Sequence, residues 1–355
     1  MLDSVKRPTI ADVAQEAGVS TVTVSRVLAG SDQVSEATTR KVRRAIDALG
    51  YYGNSVARQL VSGRPETLGI VTTDTITYGY AQTISGVERQ ARDAGMSSLI
   101  CVLDLGDHER ADDAVRSMLG HPLAGVVIID FDADAHRVIG MLPTYMPVVA
   151  IGEPHTVSSS ERPYVAFDEY EGARALVNRL IELGHTSVFI IAQPNNDPPE
   201  RRSVGALDAL RDACLPTYPV SRCQEWSPEE GRRLCTHILE RYGEAVTAVV
   251  CPNDEIAVGA MRAVADAGLR VPEDVSVTGF DGVPIGAQLS PSLTTVRQDF
   301  VLAGRQAVDL LLGHHDAADG GPPHAEIHPE VIERESIAPP NPARGLRRAS
   351  ADLRS

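Results

Sequence analysis

Two hydrophobic rhythms follow one another along this chain. Up to about residue 60, apolar side chains recur at the spacing of helices with one buried stripe. Ile10, Val13, Ala14 and Ala17 form the first stripe. Thr9 supplies a capping hydroxyl before it, and Asp12 completes a capping box and suits the positive end of the helix dipole. Gly18 ends this helix, Val19 is a buried link and Ser20 caps again, so Thr21–Leu28 is the second helix. The spacing predicts a third from the Ser35 cap to about Leu49, with Val42, Ala45, Ile46 and Leu49 inward. Helix, glycine-containing turn, helix is the layout of a helix-turn-helix. Asn54–Leu60 then carries a cap and a short helix, below the ~12–15 residues an isolated helix needs, so it folds only against a partner.

From residue 68 the rhythm changes. Short apolar runs at Leu68–Thr72, Ser98–Leu103, Gly125–Asp130, Pro147–Gly152, Val188–Ala192, Ala248–Cys251 and Val275–Gly279 alternate with amphipathic stretches. The latter include Ala81–Ala94, Glu169–Leu183, Pro228–Arg241 and Ile256–Ala267. This alternation predicts parallel sheets with helices on both faces, and its length suits two α/β subdomains. The stretch from Pro339 reads as a disordered, basic tail, and Leu346 and Leu353 are too few to sustain a coiled coil. The expected organisation is a helical head (1–52), a hinge and linker (53–65), a core (66–338) and a tail (339–355).

Composition narrows the class. A chain of 355 residues is too long for one ordinary domain, and with aromatics at 4% its cores must be aliphatic. Runs such as Ala124–Ile129 fall short of the ~20 residues a membrane helix needs. The first residues lack the apolar core of a secretory signal, so a cytoplasmic protein without a membrane is expected. Five scattered cysteines with no Cys-x-x-Cys pair read as reduced thiols. The net charge is −15, but residues 1–64 hold nine basic against six acidic side chains, a charge of +3, leaving −18 for the rest. That asymmetry points to a polyanion-binding head on an acidic body.

Candidate chemistry follows the same division. Thr21, Ser25 and Arg26 lie on the polar face of the second helix, where a major groove would lie. An arginine there donates two bonds to a guanine edge, worth ~1–3 kcal/mol of discrimination. Lys41, Arg43 and Arg44 suit phosphates, which position without reading sequence. In parallel α/β folds, ligands bind beyond the carboxyl ends of strands. Arg202, Asn253-Asp254, Phe280-Asp281 and Gln298-Asp299-Phe300 all follow strands. Planar polar groups around an aromatic platform suit a sugar, whose hydroxyls both donate and accept. Asp254 equally suits a helix cap, and the lone Trp226 equally suits plain packing. His324 and His328 have metal-like spacing but no third ligand, so neither metal nor cofactor is expected. There is no dinucleotide fingerprint, phosphate loop or nucleophile elbow, so an enzyme is not expected. A sugar-binding protein with no DNA function is the open alternative.

Taken together, several runs resemble the LacI/GalR family of bacterial transcriptional repressors. They are Ile10–Ser20, Thr23–Leu28, Val34-Ser35, Thr38–Arg40, Leu49–Tyr51, Asn54 and Ala57–Leu60, then Val250–Gly259, Gly268–Pro272, Asp274–Asp281 and Leu293–Phe300. The similarity spans about residues 8–337. It implies an all-α, lambda-repressor-like helix-turn-helix head on a periplasmic-binding-protein-like α/β core of two doubly wound subdomains. It also implies DNA contacts from Thr9, Ser20, Thr21, Val22, Ser25 and Arg26, and a hinge of Asn54, Ala57 and Leu60 with Leu60 as a minor-groove wedge. The implied effector pocket holds Tyr78, Tyr80, Phe167, Arg202, Trp226, Asn253, Asp281, Gln298 and Phe300. The implied partners are a second copy of the chain, a pseudo-palindromic double-stranded operator and a galactoside-like sugar that releases it, with a co-repressing ligand as the alternative. Two departures matter. Thr21-Val22 replace a tyrosine and an amide at base-reading positions, so the operator should differ. Gly152 stands where one similar member of the family places a carboxylate, with Glu153 adjacent. A tail without heptads implies a dimer rather than a tetramer.

Overall fold

A computed structural model describes residues 8–28, 30–52, 65–152, 162–194, 201–313 and 322–342. The chain divides into two compact units, Met1–Glu66 and Thr67–Ser355.

The first unit is helical: α1 (Ile10–Ala17), α2 (Thr21–Leu28) and α3 (Glu36–Leu49). The capping box forms as the sequence predicts. The Thr9 hydroxyl and amide each donate to Asp12 Oδ2 at 2.7 Å, and the Asp12 amide donates back to the hydroxyl. Gly18 ends α1 at φ +66°, a conformation costly for any residue with a Cβ. Ser20 and Ser35 accept from the amides of Thr23 and Thr38, capping α2 and α3. Val13, Ala14, Val24, Val42 and Ala45 close the small core. The expected hinge residues Asn54, Ala57 and Leu60 lie outside the described residues.

The second unit holds two parallel sheets. The first has the order β11-β5-β4-β3-β1-β2. Its strands are β1 (Thr67–Thr72), β2 (Ser97–Val102), β3 (Gly125–Asp130), β4 (Val148–Gly152), β5 (Tyr164–Phe167) and β11 (His324–Ile327). Helices α4 (Tyr78–Asp93), α5 (His108–Leu119) and α6 (Ala133–Ile139) connect them. The second sheet has the order β7-β6-β8-β9, from β6 (Val188–Ala192), β7 (Ser221–Arg222), β8 (Ala248–Val250) and β9 (Ser276–Thr278). Around it run α7 (Glu169–Glu182), α8 (Arg201–Asp212), α9 (Pro228–Tyr242) and α10 (Asp254–Asp266). β10 (Thr295–Arg297) and β12 (Glu330–Ile332) pair antiparallel beside this sheet. Val and Ile dominate the buried strands, as parallel sheets covered on both faces require.

The chain crosses between the two subdomains three times. It leaves the first sheet after Phe167 and returns after Arg297 to place α11 (Phe300–Leu311) and β11 against it. It leaves again after Ile327 to form β12. The pairing of α4 with α11 admits no Cβ at position 86, which would lie 2.2 Å from the Val301 carbonyl oxygen. Among the described residues no helix is long and apolar enough to cross a membrane. The start of the expected tail is held in place, since the Asn341 amide donates to Asp274 at 3.2 Å. Residues 343–355 lie outside the described residues.

Candidate functional site

In the head, Thr9, Ser20, Thr21, Val22, Ser25 and Arg26 are all exposed, as are Lys41, Arg43 and Arg44. Val22 is 58% exposed although valine is apolar, because Val24 and not Val22 faces the core stripe. Exposed apolar and hydroxyl groups beside an arginine on one helix are the components that read base edges.

In the core, the strand ends and the crossings meet. Arg202, in the first turn of α8, is nearly buried. Its guanidinium lies 2.6 Å from Glu169 Oε1 and 3.1 Å from Asp281 Oδ1. It also donates to the Pro252 carbonyl, and its flat face lies 4.1 Å from the centroid of the Phe280 ring. The Gln298 amide donates to the same two carboxylates, at 3.4 Å to Glu169 and 3.3 Å to Asp281. Asp281 adopts φ +92°, which strains a residue with a side chain and is the kind of outlier that concentrates at functional sites. Burial pushes the Asp281 carboxyl up, and Arg202 pulls it back.

Facing this polar group is an aromatic cluster on the first subdomain. Phe167 and Phe300 lie 5.2 Å apart, and Phe131 touches both edge-on at 5.9 and 6.2 Å. Tyr78 packs edge-on against Phe300 and Tyr80 edge-on against Phe131. The Tyr80 hydroxyl donates to Asp132 at 3.0 Å. Burial raises the Tyr78 phenol, and Asp254, Asp281 and Asp299 raise it further. A cavity of about 260 Å³ lies beside them, lined by Tyr78, Gln82, Arg297, Gln298, Asp299, Phe300 and Val301.

One expectation changes on inspection. Of the two roles open to Asp254 in the sequence, the cap of α10 falls to Asn253, which accepts from the Ile256 amide at 2.8 Å. Asp254 turns inward instead and accepts from the Thr295 hydroxyl and the Val283 amide. The only side-chain oxygen of Asn253, Oδ1, is therefore committed to its own helix. Trp226 lies in the turn between β7 and α9 with 39% of its surface exposed. Glu153 lies outside the described residues, and Gly152 is the buried last residue of β4.

Sequence reasoning missed Glu169, Phe131 and Asp132. Phe131 and Asp132 directly follow β3, so the strand-end rule would have found them. Glu169 reads as an ordinary acidic residue in the first turn of a helix, and only the proximity of Arg202 distinguishes it.

Comparison with known proteins agrees with this architecture. A family model for bacterial regulatory proteins of the lacI family matches residues 9–54, and one for periplasmic binding protein-like domains matches residues 177–337. The Escherichia coli lactose operon repressor is 31% identical over 354 residues, covering 98% of this chain and 95% of the relative. The transcriptional regulator GalR of Salmonella typhimurium is 32% identical, covering 94% and 96%. The HTH-type transcriptional repressor PurR of Vibrio atlanticus is 30% identical, covering 93% and 98%. Among solved structures, the lac repressor dimer bound to operator and an anti-inducer is similar with a TM-score of 0.82 and 28% identity, covering 94% of this chain and all of that one. A complex of the regulator CelR with cellobiose gives 0.67 and 30%, covering 93% and 100%. An exposed helix-turn-helix face, a two-subdomain core and whole-length similarity to repressors place this chain in the LacI family, as a DNA-binding transcriptional repressor.

Proposed function

We propose that this chain is a homodimeric, cytoplasmic repressor that a galactoside-like sugar releases from a pseudo-palindromic operator. The observation that carries the reading is the meeting of Arg202, Asp281 and Gln298 with the Phe167–Phe300 pair beside a cavity of about 260 Å³. Planar polar side chains bond hydroxyls in pairs, and aromatic rings take the apolar face of a sugar ring. Tyr78, Tyr80, Asn253 and Trp226 complete the pocket in this reading. The dimeric state of the operator-bound lac repressor and the cellobiose bound to CelR support the choice of a dimer and of a sugar.

On DNA, Thr21, Val22, Ser25 and Arg26 read base edges, while Thr9 and Ser20, at helix N-termini, meet phosphates. Asn54, Ala57 and Leu60 form the hinge, with Leu60 wedged into the minor groove. Effector closes the cleft between the subdomains, shifts one subdomain pair and separates the two hinges. Coupling of this kind is ~1–3 kcal/mol and reciprocal, so operator weakens effector by the factor that effector weakens operator.

The test follows Trp226 fluorescence while galactosides, glucosides and purines are titrated, with and without a duplex from the protein's own promoter. A saturable change with one glycoside, moved to higher midpoint by DNA, supports induction. A midpoint moved lower makes the ligand a co-repressor. No response to any sugar removes the sugar reading.

A further inference from the structure

The polar cluster beside the aromatic rings is centred on Arg202, whose guanidinium is already paired. Glu169 opens α7 at the first crossing between subdomains. Its neighbour Asp168 caps the helix, accepting from the Glu171 amide at 3.2 Å, and this leaves Glu169 to turn inward, where it is 6% exposed. There it meets Arg202 at 2.6 Å and, more loosely, the Gln298 amide at 3.4 Å. Asp281 meets the same guanidinium at 3.1 Å and the same amide at 3.3 Å. Two carboxylates thus bracket one guanidinium.

The surroundings hold further acids, and the basic side chain on the cavity wall, Arg297, is itself paired with Glu330. Beyond burial, Asp281 and Asp299 both raise the Tyr78 phenol, so acids flank the ring that faces the cluster. A phosphate or carboxylate entering this cleft meets charges of its own sign where water screens them poorly, and its natural partner, Arg202, is already paired. A hydroxyl meets the opposite situation. Carboxylate oxygens accept from it, and Gln298 offers a buried Oε1 that has no hydrogen-bond partner among the described residues.

We infer that Glu169 sets the charge selectivity of the cleft: by neutralising Arg202 it restricts the effector to uncharged, hydroxyl-rich rings and excludes phosphorylated and carboxylated sugars. Glu169 acts through Arg202 and is a positioning residue. The inference rests on the sugar reading proposed above and deepens it.

The experiment is calorimetric titration of the full-length protein with methyl galactoside, methyl glucoside and cellobiose. Galactose 6-phosphate, glucose 6-phosphate and galacturonate follow, and both sets are repeated on Glu169→Gln and Glu169→Asp. The expected result is a neutral glycoside that binds at least about tenfold more tightly than its anionic counterpart, equivalent to ~1.4 kcal/mol. In E169Q that ratio shrinks by about tenfold or more, because Asp281 alone then balances Arg202 and the surplus negative charge is gone, whereas E169D, which keeps the charge, keeps the ratio. A merely structural Glu169 would weaken both ligand classes by the same factor, and that result overturns the inference. Wild-type protein that binds a sugar phosphate or uronate as tightly as the neutral sugar overturns it without E169Q having to fold, and leaves the sugar reading standing. Silence with every sugar, neutral and anionic, overturns both.

Discussion

The Thr295 hydroxyl donates to Oδ1 of Asp254 at 2.5 Å, tying strand β10 at the second crossing to the first residue of helix α10. The other oxygen accepts from the Val283 amide at 2.6 Å. Burial nevertheless dominates, and pushes the Asp254 carboxyl up to about 7. In the folded protein this group holds its proton to near neutrality, whereas unfolded it releases the proton around its ordinary value of 3.8. The folded state therefore binds more protons between those values, and raising pH through that window costs stability. Asp130, pushed up to about 6 by burial, acts in the same direction over the lower part of the window. Buried His185, whose pKa is lowered, acts oppositely. The difference between wild type and D254N isolates the Asp254 contribution. Urea unfolding from pH 4 to pH 7 should show the wild type losing stability relative to D254N as pH rises. Parallel curves would mean that Asp254 is ionised throughout.

Position 86 tests the packing that seats Phe300 and Val301. A methyl added there in α4 meets the backbone of α11, which has no rotamer to yield. G86A should cost ~1–3 kcal/mol, the usual range for overpacking, and weaken effector along with it because both helices line the cavity. Thermal unfolding and a parallel effector titration read the two effects. A variant of unchanged stability would show that α4 and α11 separate more easily than their contact suggests.

The proposed function divides the head into reading and positioning residues. Arg26→Ala should cost ~1–3 kcal/mol on the cognate operator and flatten discrimination among operator variants. Lys41→Ala or Arg44→Ala should weaken all duplexes alike, and each should reduce the dependence of log affinity on log salt by ~1. Fluorescence anisotropy at several salt concentrations separates the two patterns.

Leu60→Ala tests the proposed hinge. A leucine wedge partly unstacks a base step and bends the duplex, so its loss should weaken specific binding while leaving nonspecific binding largely unchanged. Unchanged operator affinity would remove the wedge from the mechanism.

Thr9→Ala deletes the hydroxyl of the α1 capping box and should cost ~1 kcal/mol of head stability, read by thermal unfolding followed by circular dichroism. T9S should restore most of it, since the serine hydroxyl accepts the same amide.

The helices of the head were legible in the chain because everything that forms them is local. Thr9 with Asp12, Ser20 with Thr23 and Ser35 with Thr38 are separated by three residues, and Gly18 needs only its own backbone freedom. The strands of the core were legible for a similar reason, since a run such as Val126–Ile129 has no exposed face on which to place a polar residue. What no local pattern carries is which strands become neighbours. β11 joins β5 across more than a hundred residues, and α11 returns to the first sheet after the whole second one has formed. Those returns decide the site. Asn253 and Asp254 are adjacent and chemically alike, yet one caps a helix and the other reaches Thr295, because only the folded crossing brings Thr295 within reach. Glu169 looks like any acid in a first helical turn until Arg202, Asp281 and Gln298 arrive from three later segments. Sequence by itself determined the periodicity, the caps and the family pattern, since these depend on neighbours along the chain. Tertiary structure alone decided the charge pairing of the cleft, since that depends on burial and on distances between distant residues.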